Sequence, residues 1–121
     1  MSKPHIDACS FGSITIDGEV FRHDVVIRCD GRVIKRKKKL SKEIYGTSHT
    51  LSDVEARFLL EDAGERLILG SGEYGQVELS PEASELFALH GLEVVSAPTP
   101  RALALFNADP GPCSALFHVT C

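Results

Sequence analysis

Four stretches of the 121-residue chain hold residue types able to do chemistry. LILGSGEYG, residues 67–75, spaces Gly70, Gly72 and Gly75 as GxGxxG behind an apolar run, the pattern by which a backbone approaches a dinucleotide pyrophosphate. HVTC, residues 118–121, sets a histidine near a cysteine, two metal-ligating and nucleophilic types. His49 stands among small polar neighbours, Thr47 and Ser48, where a loop imidazole has room for acid–base work. KRKKK, residues 35–39, has the charge to displace counterions from a polyanion.

Spacing narrows each of these. In a dinucleotide site the helix begins inside the glycine motif, but the next helix cap here is Ser80, beyond an extended piece at 76–79. The following strand ends at Val95-Ser96-Ala97, with no acid to hold a ribose hydroxyl. The glycines are therefore expected to supply turns and close backbone approach. Strand carboxyl ends in an α/β sheet still collect ligands, and the loops at 70–75 and 97–99 should open on one edge. A small polar pocket is expected there from Ser71, Tyr74 and Thr99, with His49 and His118.

His118 and Cys121 lie three apart, on opposite faces of a strand, so neither a chelate nor a dyad is expected of them. A hydrogen-bonded, partly buried His118 is. No aromatic interleaves with Lys35, Arg36, Lys37, Lys38 and Lys39, so a base-stacking surface is missing. That run reads as a solvated strand end blunting a sheet edge, with a polyanion or an acidic protein patch as the alternatives. No HExxH, GxSxG or phosphate loop occurs. Neither a metal nor a cofactor is expected.

The elements that position these residues are punctuated clearly. SITI (13–16) alternates, and Asp17-Gly18 is a type I′ hairpin signal. Val25 to Cys29 ends at Asp30-Gly31 and returns as Arg32 to Arg36. Residues 37–51 read as polar and irregular. Ser52-Asp53-Val54-Glu55 is a capping box, the Glu55 carboxylate reaching back to the Ser52 amide. It opens a helix with Val54, Phe58 and Leu59 as its stripe and Gly64 as its stop. Arg66 to Leu69 is a buried strand. Ser80-Pro81 caps a helix carrying Leu86, Phe87 and Leu89 toward Gly91, and Leu92 to Ser96 is a strand. Thr99-Pro100 repeats the cap for Ala102, Leu103 and Phe106, and Ala115 to Thr120 is the last strand. The order β-β-β-α-β-α-β-α-β specifies one α/β domain over residues 1–121, a hairpin region followed by alternating, partly parallel units.

The totals fit a soluble globular protein: 43% apolar, 25% charged, no leader-like start and no membrane-length apolar run. The net charge of −4 hides an asymmetry, because residues 32–42 hold seven of the 13 Lys and Arg and no acid. Four scattered cysteines without a CxxC pair fit reduced thiols and a cytoplasmic location.

KKLSKEIYGTSH (38–49), LILGSGEYGQVELSPEA (67–83), HGLEVVSAPTPRALALFN (90–107) and ALFHVTC (115–121) together resemble a small family of domains of unknown function. Its relatives include a mitochondrial assembly factor for respiratory complex I and an adipogenesis-associated protein. The resemblance implies a three-layer α/β fold whose central mixed sheet has its last strand antiparallel to the others. It supplies no reaction and no catalytic set. The expectation is a non-catalytic binding or scaffold domain with protein partners and no membrane role. A ligand pocket or enzyme at His49, Ser71, Tyr74, Thr99 and His118, and polyanion binding at Lys35 to Lys39, are the alternatives; nucleic acid is the least favoured partner.

Overall fold

Both faces of the central sheet are buried, which is what its near-continuous apolar strands require. The computed structural model describes residues 3–120. Three strands come first, β1 (Ile6–Ser10), β2 (Ser13–Ile16) and β3 (Glu19–Phe21), and pair antiparallel in sequence order. Asp17 and Gly18 both take positive φ (49° and 82°), as the I′ turn between β2 and β3 demands.

Then come β4 (Val25–Ile27), β5 (Val33–Lys35), α1 (Lys39–Tyr45), β6 (Thr50–Leu51), α2 (Asp53–Leu60), β7 (Arg66–Gly70), β8 (Glu78–Leu79), α3 (Pro81–Leu89), β9 (Glu93–Ala97), α4 (Thr99–Ala108) and β10 (Cys113–Phe117). The five-stranded sheet runs β5-β4-β10-β7-β9. β7 is parallel to β9 and to β10, while β10 is antiparallel to β4. The mixed sheet is as expected. Its last strand, however, is antiparallel on one side only, because β10 inserts between β7 and β4.

Strand alternation divides the core in two. Val25, Ile27, Ile68, Ala115 and Phe117 pack against α4 and the three-stranded sheet, where Phe106 meets Phe117 edge to face at 5.9 Å. Val26, Leu67, Leu69 and Leu116 face the opposite way, onto Ala56 and Leu59 of α2 and Ala83 and Phe87 of α3. This is the three-layer arrangement. β6 and β8 pair in parallel, and each leads directly into a serine cap, so α2 and α3 start side by side.

Several local expectations are corrected. Residues 37–51 are not irregular, since they hold α1 and β6. Val54 and Leu89 are exposed; the buried face of α2 is Glu55, Ala56 and Leu59. α2 ends at Leu60 rather than at Gly64, and the Arg28 guanidinium caps it by donating to the Phe58 and Glu61 carbonyls. The N-cap of α4 is Pro98, not Thr99, whose side chain is engaged elsewhere. The last strand stops at Phe117, so His118 lies beyond it, and Cys121 lies outside the described residues.

Candidate functional site

Arg36 follows β5 with its side chain turned into the protein, unlike the lysines around it. Its Nε donates to Glu55 Oε2 at 2.7 Å, Nη2 to Glu55 Oε1 at 3.1 Å and to the Ser48 carbonyl, and Nη1 to Asp24 Oδ2 at 2.9 Å. The expectation of a solvated, polyanion-facing Arg36 is thereby corrected: the guanidinium is wholly engaged inside. A fork of fixed donors suits two carboxylates better than a lysine would.

Glu55 is the reason the capping box is only half formed. Ser52 Oγ does accept from the Glu55 amide at 3.1 Å, but the Ser52 amide donates to Ser41 Oγ instead of to Glu55. The carboxylate, fully buried, takes Arg36 and the Ser41 hydroxyl. A buried carboxylate gains more from a guanidinium than from one backbone amide.

Asp24 extends the network. Its Oδ2 lies 2.7 Å from His118 Nδ1, and its Oδ1 accepts from the Val119 amide at 2.9 Å. Burial alone raises the Asp24 carboxyl. Hydrogen bonds from His118 and the Val119 amide, with the pull of His118 and of the Arg36 charge, outweigh it and leave the group lowered to about 2. Burial likewise lowers Arg36, but its pairs with Glu55 and Asp24 win and raise it. His118 Nε2 lies 3.1 Å from Thr120 Oγ1, and its ring meets His49 edge-on at 5.4 Å.

Asp24, His118 and Thr120 thus follow the carboxylate–imidazole–hydroxyl order of a nucleophilic triad. The neighbouring amides are nevertheless occupied: Val119 donates to Asp24, Gly12 to the Val119 carbonyl and Glu73 to the Thr120 carbonyl. The chain supplies a polarised hydroxyl with no free amide from these three to receive an oxyanion.

The glycine loop resolves in the same terms. Backbone turns to positive φ at Gly72 (104°) and Gly75 (68°), and helix α3 begins only at Pro81. Ser71 donates to the Ala97 carbonyl, Gly72 to Thr99 Oγ1, Gly75 to the Gly72 carbonyl and Val77 to the Ser71 carbonyl. These amides face their own chain. At Gly70 a Cβ would lie 2.6 Å from the Phe117 ring, which is the close approach that residue permits.

Of the residues expected to form a pocket, His49 and His118 are in ring contact, and Thr99 donates to the His118 carbonyl at 2.6 Å. Ser71 is buried just beyond β7. Tyr74 points outward, 71% exposed, with its ring 6.5 Å from Phe11. Open space is found instead where Arg22, Lys35 and Lys38 border a cleft of about 220 Å³ that reaches Asp24, Arg36 and Thr120. Lys35, Lys37, Lys38 and Lys39 also border a depression of about 440 Å³ beside Leu40 and Glu43. Asp24, Ser41, Arg22 and Thr120 are assigned no role by any motif in the sequence.

A family profile described as a protein of unknown function (DUF498/DUF598) matches residues 6–109. The chain belongs to the DUF498/DUF598 family. Among similar solved structures, a conserved hypothetical protein of Pyrococcus horikoshii OT3 is 38% identical, with a TM-score of 0.89 over 96% of this chain and 98% of that one. A structure named MT938 is 33% identical, with a TM-score of 0.84 over 98% of this chain and 100% of that one. A Mth938-like domain from Bordetella pertussis shares the fold at 16% identity, with a TM-score of 0.62 over 96% of this chain and 85% of that one. No curated protein matches. The matched DUF498/DUF598 segment includes Asp24, Arg36, Glu55 and the lysine run, and His118 and Thr120 follow it.

Proposed function

We propose that this DUF498/DUF598 member is a non-catalytic docking domain whose lysine face, residues 35–39, binds an acidic segment of a protein partner. The observation that carries this reading is the inward anchoring of Arg36. Its pairs with Asp24 and Glu55 fix the backbone of the run, so Lys35, Lys37, Lys38 and Lys39 are presented from a rigid base. Preorganised cations lose less freedom when they bind. Lys37 is further held over the Phe58 ring at 5.4 Å. The resemblance to a complex I assembly factor supports a role in which contact, not turnover, is the output.

Fluorescence titration with a Glu-rich peptide tests this reading. Affinity should fall steeply with salt and be lost in a Lys37→Glu/Lys39→Glu variant. Equal affinity in the variant, or tighter salt-dependent binding of single-stranded RNA by the wild type, would sink the reading.

A further inference from the structure

Beside the lysine face, the 220 Å³ cleft brings together cations from three separate parts of the chain. Arg22 follows β3, Lys35 ends β5 and Lys38 precedes α1. Among the described residues none gives the side chain of any of these three a hydrogen bond or an ion pair. The carboxylate lining the cleft is Asp24, and it is not available to them. Its Oδ2 is held by Arg36 and His118 and its Oδ1 by the Val119 amide.

The lining carries four cationic side chains, Arg22, Lys35, Arg36 and Lys38, against the single carboxylate of Asp24, so the cleft is net positive. Positive groups gathered around a recess raise the local concentration of anions. At about 220 Å³ the cleft has room for a tetrahedral oxyanion.

We propose that this cleft is a site for a phosphate monoester group. Arg22 offers the planar fork that binds two phosphate oxygens, and Lys35 and Lys38 act as point charges on the remaining oxygens. Three cations match a dianion better than a single carboxylate. The Thr120 hydroxyl, oriented by His118 Nε2, faces the same space as an adjustable polar contact. The phosphate arrives either on a side chain of a partner protein or on a small soluble ester. The site shares Lys35 and Lys38 with the docking face, but Arg22 belongs to the cleft and Lys37 and Lys39 to the face, so either reading can fail without the other.

Amide NMR titration of the whole chain is the test, using glycerol phosphate, a phosphoserine peptide and the same peptide with glutamate at that position. Saturable shifts are expected at Gly12, Val119 and Thr120 with the two phosphate probes. Arg22→Ala should weaken binding about tenfold, the effect of losing one charge-assisted bidentate contact, whereas Lys37→Glu/Lys39→Glu should change it by less than about twofold. Arg22 is exposed, so its removal leaves the core intact. Tighter binding of the phosphopeptide assigns a protein-borne phosphate, and tighter binding of glycerol phosphate assigns a soluble ester. No saturable shift, equal binding of the glutamate peptide, or equal losses in the two variants would overturn the proposal.

Discussion

Arg36 and Glu55 stand 19 residues apart in sequence and meet in the interior through two nitrogen–oxygen contacts, 2.7 and 3.1 Å, with both side chains fully buried. Breaking such a pair from one side leaves a desolvated charge. Glu55→Ala should lose about 3–5 kcal/mol in urea unfolding. A loss near 1 kcal/mol, typical of a helix cap alone, would show that the pair contributes little.

Asp24 contributes to acid stability. Its folded value, about 2, lies below its ordinary 3.8, so its contribution of about 2 kcal/mol is fully present above the unfolded value and disappears as pH falls through the folded one. Unfolding midpoints measured from about pH 5 down to about pH 2 should decline, and Asp24→Asn should flatten that slope while lowering stability throughout. An unchanged slope in the variant would remove Asp24 from the explanation.

The two ends of the glycine loop should respond differently to alanine. At Gly70 the new Cβ meets the Phe117 ring at 2.6 Å and Thr99 Oγ1 at 3.0 Å, so Gly70→Ala should cost about 2–3 kcal/mol through overpacking. At Gly75 the nearest atoms are 3.7 Å away and only the φ of 68° resists, a cost of about 1 kcal/mol. Thermal melts of the two variants would rank them, and the reverse order would be incompatible with this packing.

Thr99 ties three segments together, accepting from the Gly72 amide at 3.0 Å and donating to the His118 carbonyl at 2.6 Å. Thr99→Val strands both buried backbone groups and should cost about 2–4 kcal/mol, while Thr99→Ser should cost under about 1 kcal/mol. Hydrogen exchange at the Gly72 amide should accelerate in the valine variant and stay slow in the serine one.

What could be read ahead of the structure was local. The Asp17-Gly18 turn, the Ser52 and Ser80 hydroxyl caps and the β7 and β9 strands follow from neighbouring residues, and they stand where the sequence puts them. The site is different because its partners are distant. Asp24 and His118 are separated by 94 residues, and nothing within either neighbourhood announces the other. Glu55 misleads for a related reason: its position three after Ser52 satisfies a local motif, yet a stronger partner arrives from β5. Arg36 is hidden by its company, since four of the five residues in KRKKK do face solvent. Thr99 shows the same effect, a cap signature overruled by tertiary contacts to Gly72 and His118.

The position of β10 has a consequence for how the molecule comes into being. It is the last strand in order, yet β4 and β7 flank it on either side, and Ala115, Leu116 and Phe117 are completely enclosed. Residues 113–117 supply the hydrogen-bonding partners of both β4 and β7, so those two strands cannot be joined into one sheet before that segment is in place, a non-local closure of the kind that slows folding.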